Sequence, residues 1–152
     1  MKQLVLALLL FGSVVFSPMQ TKAASSVSVP CSLILKPVDS GYPNAMGAAL
    51  VYKVKLTPSF PRASISIHAL HLPKPSSFGD YDRFEGFVFI PNVISWRFPL
   101  YPTPETDGPT WAGRLDNITA GLENIQIQVR LSNAKTGKLG SVILANSINY
   151  CK

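Results

Sequence analysis

Ile125-Gln126-Ile127-Gln128-Val129-Arg130-Leu131 alternates without a break between branched apolar and polar side chains. Successive side chains of a β-strand point to opposite faces, so this segment reads as a strand with one buried face and one wet face. Asn133-Ala134-Lys135-Thr136-Gly137-Lys138 follows at once, and its Asn and Gly are turn formers. A further apolar run, Ser141 to Tyr150, completes a hairpin.

Upstream the same period recurs, and no long period of 3.6 does. Val27 to Leu35 is a strand interrupted by Pro30, which suits an edge or a bulge. In Ala49 to Leu56, the residues Leu50, Tyr52, Val54 and Leu56 are expected to face the core, with Val51, Lys53, Lys55 and Thr57 on the wet side. Ser64 to Leu72 alternates as Ile65, Ile67, Ala69 and then slips to Leu70, Leu72, which predicts a bulge. Glu85 to Ile90 is apolar on both faces, Val93 to Phe98 carries Ile94, Trp96 and Phe98 on one side, and Thr110 to Leu115 is shorter. Proline clusters between Thr57 and Pro61, Pro73 and Pro75, and Pro99 and Pro109 punctuate these strands. No internal repeat occurs. Seven or eight short strands in one domain predict an all-β, antiparallel β-sandwich.

The pattern resembles the immunoglobulin or fibronectin-type sandwich. Asp116 to Gly121 stands before the best alternating strand like the corner before that family's penultimate strand. The hairpin follows in the matching place, and Trp96 lies mid-chain among apolar residues. The family's inter-sheet disulfide is absent, and no Tyr occupies the corner. The resemblance implies a fold and leaves the function open.

The chain begins with one positive charge in Met1-Lys2-Gln3, an apolar run from Leu4 to Phe16, and a more polar stretch ending in Ala23. These are the parts of a secretory signal peptide, and the run is shorter than the roughly 20 residues a membrane span needs. Cleavage after Ala23 removes 23 of 152 residues and leaves a domain of 129 (residues 24–152). No later stretch is long enough to span a membrane. The expected location is secreted or periplasmic.

In that compartment two cysteines suggest one disulfide, Cys31 to Cys151. It would bring the two ends of the domain side by side, because bridged Cα atoms stand within about 7 Å. A loop of roughly 100 residues is worth about 4.7 kcal/mol in the chain-entropy model. An intermolecular bridge is the alternative.

Charged residues are 14% of the chain and hydrophobic residues 47%, which excludes disorder and coiled coils. The net charge of +6 falls to +4 once Lys2 and Lys22 leave, and the basic residues are scattered. Nucleic-acid binding shows a clustered basic face, so no nucleic-acid partner is expected. No Gly-x-Ser-x-Gly elbow and no cofactor fingerprint occurs, and His68 and His71, three apart on one strand, point to opposite faces unless the expected bulge realigns them. Asp80, Asp82 and Glu85 could offer three oxygens to a hard cation, with Arg83 opposing them; the plainer reading is a solvated turn with a local ion pair. Asn117-Ile118-Thr119 is a glycosylation sequon, relevant only in a eukaryotic host.

Most aromatics lie between Phe78 and Trp111. Alternation puts Trp96, Phe87 and Phe89 in the core. Tyr81, Tyr101 and Trp111 fall in or beside loops and are the candidate ligand-binding residues. Pro99-Leu100-Tyr101-Pro102-Thr103-Pro104 is stiff, either a preorganised recognition loop or a plain connection. The expected function is a secreted, non-catalytic binding protein recognising an extracellular protein or a cell-surface partner, without stable membrane insertion. A small carbohydrate-binding module is the first alternative. A structural matrix or coat component is the second, with Phe87 to Ile90 pairing between molecules.

Overall fold

The computed structural model describes residues 27–55 and 60–151. The signal peptide expected over residues 1–23 lies outside them. Eight antiparallel strands follow one another: β1 (Cys31–Pro37), β2 (Met46–Lys55), β3 (Pro61–Leu70), β4 (Arg83–Ile90), β5 (Ile94–Pro102), β6 (Trp111–Ile118), β7 (Gln126–Ser132) and β8 (Leu139–Ser147). Two short 3₁₀ turns, Pro75–Phe78 and Ile148–Tyr150, complete the elements. The antiparallel all-β class holds, but the expected sandwich does not: the strands close into a barrel in the order β1-β2-β3-β6-β5-β4-β7-β8.

The barrel has two walls, β1-β2-β3-β6 and β5-β4-β7-β8, joined by two short seams. At one seam Tyr101 and Pro102 of β5 pair with Ala112 and Trp111 of β6. At the other, Lys36 and Pro37 of β1 pair with Ala145 and Leu144 of β8. Each seam needs only two residue pairs to cover what a sandwich would leave as open edges. Gly113 makes the first seam possible. A Cβ there would run into the Pro99 carbonyl oxygen and lie 2.8 Å from Leu100 Cδ2. The second seam stands beside the cysteine pair, whose Cα atoms are 5.5 Å apart across a sequence separation of 120. The first and last strands are therefore neighbours, as a bridge between the two cysteines requires.

β7 matches its sequence pattern: Ile125, Ile127, Val129 and Leu131 are fully buried. The hairpin to β8 is also present. Asn133 Oδ1 accepts from the backbone N–H of Lys135 and Thr136, and Gly137 takes the positive φ that closes the turn.

β2 is inverted relative to expectation. Gly47, Ala49 and Val51 point inward, while Met46, Ala48, Leu50, Tyr52 and Val54 point out. The cause is register: Val51 is paired with Cys31 on one side and Ile65 on the other, all three buried. Lys53 and Lys55 share the inward phase but lie where the strand has run past the core, so they are exposed.

Three further expectations are corrected. The irregularity in β3 falls between Ala63 and Ile65, where Ser64 is buried and its hydroxyl donates to Asp116 Oδ1 at 2.7 Å. Leu70 simply ends the strand facing out. Phe87 and Phe89 lie on the outer face of β4, whose inner face is Phe84, Gly86 and Val88. Finally, β4 is hydrogen-bonded to β5 and β7 along its whole length, so it has no free edge for pairing between molecules.

Candidate binding face

The three aromatic candidates do not come together. Trp111 opens β6 and is only 8% exposed, its ring edge-on to Phe84 with centroids 5.0 Å apart. It is a core residue, because the seam with β5 covers it. Tyr81 is half-buried, its ring lying over Gly140, with Lys138 Nζ 5.7 Å from the ring centroid. It serves the β7–β8 hairpin. Tyr101 is 68% exposed, but in a strand rather than the expected loop. Trp96 is partly buried against the core, in line with its expected side of β5.

Tyr101 ends a row that crosses five strands. Ile34 of β1 is opposite Ala48 of β2, which is opposite His68 of β3, then Ala112 of β6, then Tyr101 of β5. The next row is Ser32, Leu50, Ser66 and Arg114. Strand alternation puts all of these on the outside of one wall. The result is a largely apolar outer surface: Ile34, Met46, Leu50 and Leu70 are each 41–51% exposed. Two shallow hollows indent it. One, of about 430 Å³, lies between Leu50, Tyr52, Ser66, His68 and Arg114. The other, of about 420 Å³, lies between Val29, Pro30, Leu50, Tyr52 and Lys53. The polar rim of this surface holds Lys36 and the Arg114–Asp116 ion pair, whose Nε–Oδ2 distance is 2.8 Å. Contiguous apolar surface of this kind is a mark of contact with another molecule.

The outer face of the other wall is closed upon itself. Glu85 is 3% exposed. Arg83 Nη2 donates to its Oε1 at 2.7 Å, Ser132 Oγ to the same oxygen at 2.8 Å, and Arg97 Nε to Oε2 at 2.8 Å. Burial pushes the Glu85 carboxyl up, but the hydrogen bonds from Arg97 and Ser132 and the two guanidinium charges outweigh it and hold its pKa below the ordinary value. Arg97 also donates to the Gly137 carbonyl, tying β5 to the β7–β8 turn. Arg130 lies over the Phe87 ring at 5.3 Å and donates twice to the Gly140 carbonyl. Two buried polar atoms here, Arg83 Nε and Gln128 Oε1, have no partner among the described residues.

This network also disposes of the cation candidate. Glu85 is occupied by two arginines, and Asp82 Oδ1 accepts from the Ala134 N–H. Among the described residues no three His, Cys, Asp or Glu side chains are grouped to hold a metal. His68 lies on the bare wall, whereas His71 lies beyond the end of β3, so they share no site.

Sequence reasoning missed Leu50, Met46 and Ile34 as surface residues. Their signal was present: β2 is apolar in both phases, and only one phase can be core.

Residues 27–152 match the family model described as SPbeta prophage-derived uncharacterized protein YoqH. The Bacillus subtilis (strain 168) protein of that description is 53% identical to this chain over 152 residues, covering 99% of each. No solved structure matches.

Proposed function

We propose that this chain, which belongs to the YoqH family, is an exported, non-catalytic protein that takes a protein partner on the outer face of β1-β2-β3-β6. The carrying observation is the set of exposed aliphatic side chains, Ile34, Met46, Leu50 and Leu70, spread over three neighbouring rows of one wall, while the other wall's outward arginines are all engaged. Aliphatic surface of this type fits another polypeptide. Sugar recognition uses flat aromatic rings, and of the three expected to serve it only Tyr101 is freely exposed. Lys36 at the rim favours a partner whose apolar patch is bordered by a carboxylate. The prophage origin in the description of the B. subtilis relative directs the search to the surface of a bacterial cell.

The test is affinity recovery from intact bacterial cells with the native chain, Leu50→Asp and Phe89→Ser. The native chain and Phe89→Ser are expected to recover the same protein, and Leu50→Asp to lose it. Equal recovery by all three would overturn the reading.

A further inference from the structure

The two ends of the barrel differ in a way that the binding face does not explain. One end carries the β2–β3 connection, the β4–β5 turn, the β6–β7 loop and the cysteine pair. Large apolar side chains stand outward on two of its turns: Phe60 is 88% exposed and Val93 is 73% exposed. The basic residues Lys53, Lys55 and Arg62 stand at the same end, on β2 and β3, with Glu123 the acid of the β6–β7 loop. The loops of the opposite end hold Asp39, Asp80, Asp82, Glu105 and Asp107 against Lys74, Lys135 and Lys138. The barrel is thus electrically polarised along its axis, with the apolar tips at the basic end.

A hollow of about 340 Å³ opens at the same end. Lys53 and Arg62 line it from β2 and β3, and Thr119, Gly121 and Glu123 from the β6–β7 loop. Two cations and a hydroxyl against the single carboxylate of Glu123 leave the recess net positive, which suits a phosphate-bearing headgroup. Apolar tips at the same end of the barrel suit the acyl layer just below.

We propose that this end docks reversibly on an anionic lipid bilayer, with Phe60 and Val93 inserted at the headgroup boundary and Lys53 and Arg62 on lipid phosphates. Charge draws the barrel to the surface and tip burial retains it there. The docked barrel stands with the β1-β2-β3-β6 face on its flank, clear of the bilayer. The two surfaces meet at Lys53, which borders both hollows, and are otherwise distinct, so either proposal can fail alone.

The experiment is vesicle co-sedimentation, using protein collected from the medium of an expressing culture. The vesicles are phosphatidylglycerol or phosphatidylcholine. Binding to phosphatidylglycerol alone is expected, weakening as salt rises. Phe60→Ser with Val93→Ser is expected to lower the apparent affinity roughly tenfold. Lys53→Glu with Arg62→Glu should lower it at least as far. Leu50→Ser, on the flank, should leave it unchanged, and all variants should keep the native thermal midpoint. In Phe60→Trp, the emission of the introduced indole should shift to the blue on phosphatidylglycerol vesicles. Equal binding to both lipids would overturn the proposal. So would tip variants that sediment like the native chain together with an unshifted indole emission in Phe60→Trp.

Discussion

The two walls of this barrel are built from the same kind of strand and finished in opposite ways. On β5-β4-β7-β8 every outward arginine is engaged: Arg83 and Arg97 on Glu85, Arg130 on Phe87 and the Gly140 carbonyl. Side chains from three strands and a turn are cross-linked there by hydrogen bonds. On β1-β2-β3-β6 aliphatic and small side chains stand outward beside Tyr52, His68, Lys36 and the Arg114–Asp116 ion pair, and few of them hold one another. Polar networks fix geometry and leave little free to bind, while exposed apolar area is free energy available to a partner. On the proposed reading, stability belongs to one wall and recognition to the other.

Substitutions should separate the two roles, and the largest effect belongs to Glu85. Glu85→Ala leaves Arg83 and Arg97 facing each other without their shared carboxylate. A loss of about 2 kcal/mol in urea unfolding is expected, below the roughly 3–5 of a fully buried pair because the arginine side chains are 33% and 39% exposed. Partner recovery should persist. Acid should reproduce part of this. Because the folded pKa of Glu85 is depressed, its contribution is complete at neutral pH. It fades as pH falls below the ordinary glutamate value of about 4.3 and through the lower folded value. The stability gap between the native chain and Glu85→Gln should therefore narrow below that pH, and a gap that stays constant throughout the acid range would contradict the assignment.

Phe87→Ala comes next, with a loss of about 1 kcal/mol from the ring's half-buried area and its contact with Arg130. Smallest is Leu50→Ser on the bare wall. Its effect on stability should stay within about 0.5 kcal/mol, since the side chain is exposed in the folded barrel. A loss of more than about 1 kcal/mol at Leu50 would mean that this wall is structural too, and the contrast would collapse.

The sequence carried the strands and the cysteine pairing more clearly than it carried closure. β7 was legible because four large apolar residues share one phase, and the turn at Asn133 to Lys138 because its side chains cap their own backbone. Closure was not legible. It depends on two seams of two residue pairs each, and Ala112, Trp111, Lys36 and Pro37 carry no pattern that announces a partner. β2 misled for a related reason. Its inward residues Gly47 and Ala49 are too small to register as a core face, and its lysines lie past the end of the core. The exposed phase was consequently read as buried, and the candidate face was hidden in it. Trp111 misled in the opposite sense: its place at the loop-side start of the Thr110–Leu115 strand suggested an accessible ring, but the ring is buried edge-on against Phe84.

Photo-crosslinking on intact bacterial cells tests the division of labour most directly, with a benzophenone side chain placed at Leu50 in one protein and at Phe89 in another. A single discrete protein adduct from position 50, and none from position 89, is the predicted result. The same adducts from both positions, or an adduct from position 89 alone, would contradict it.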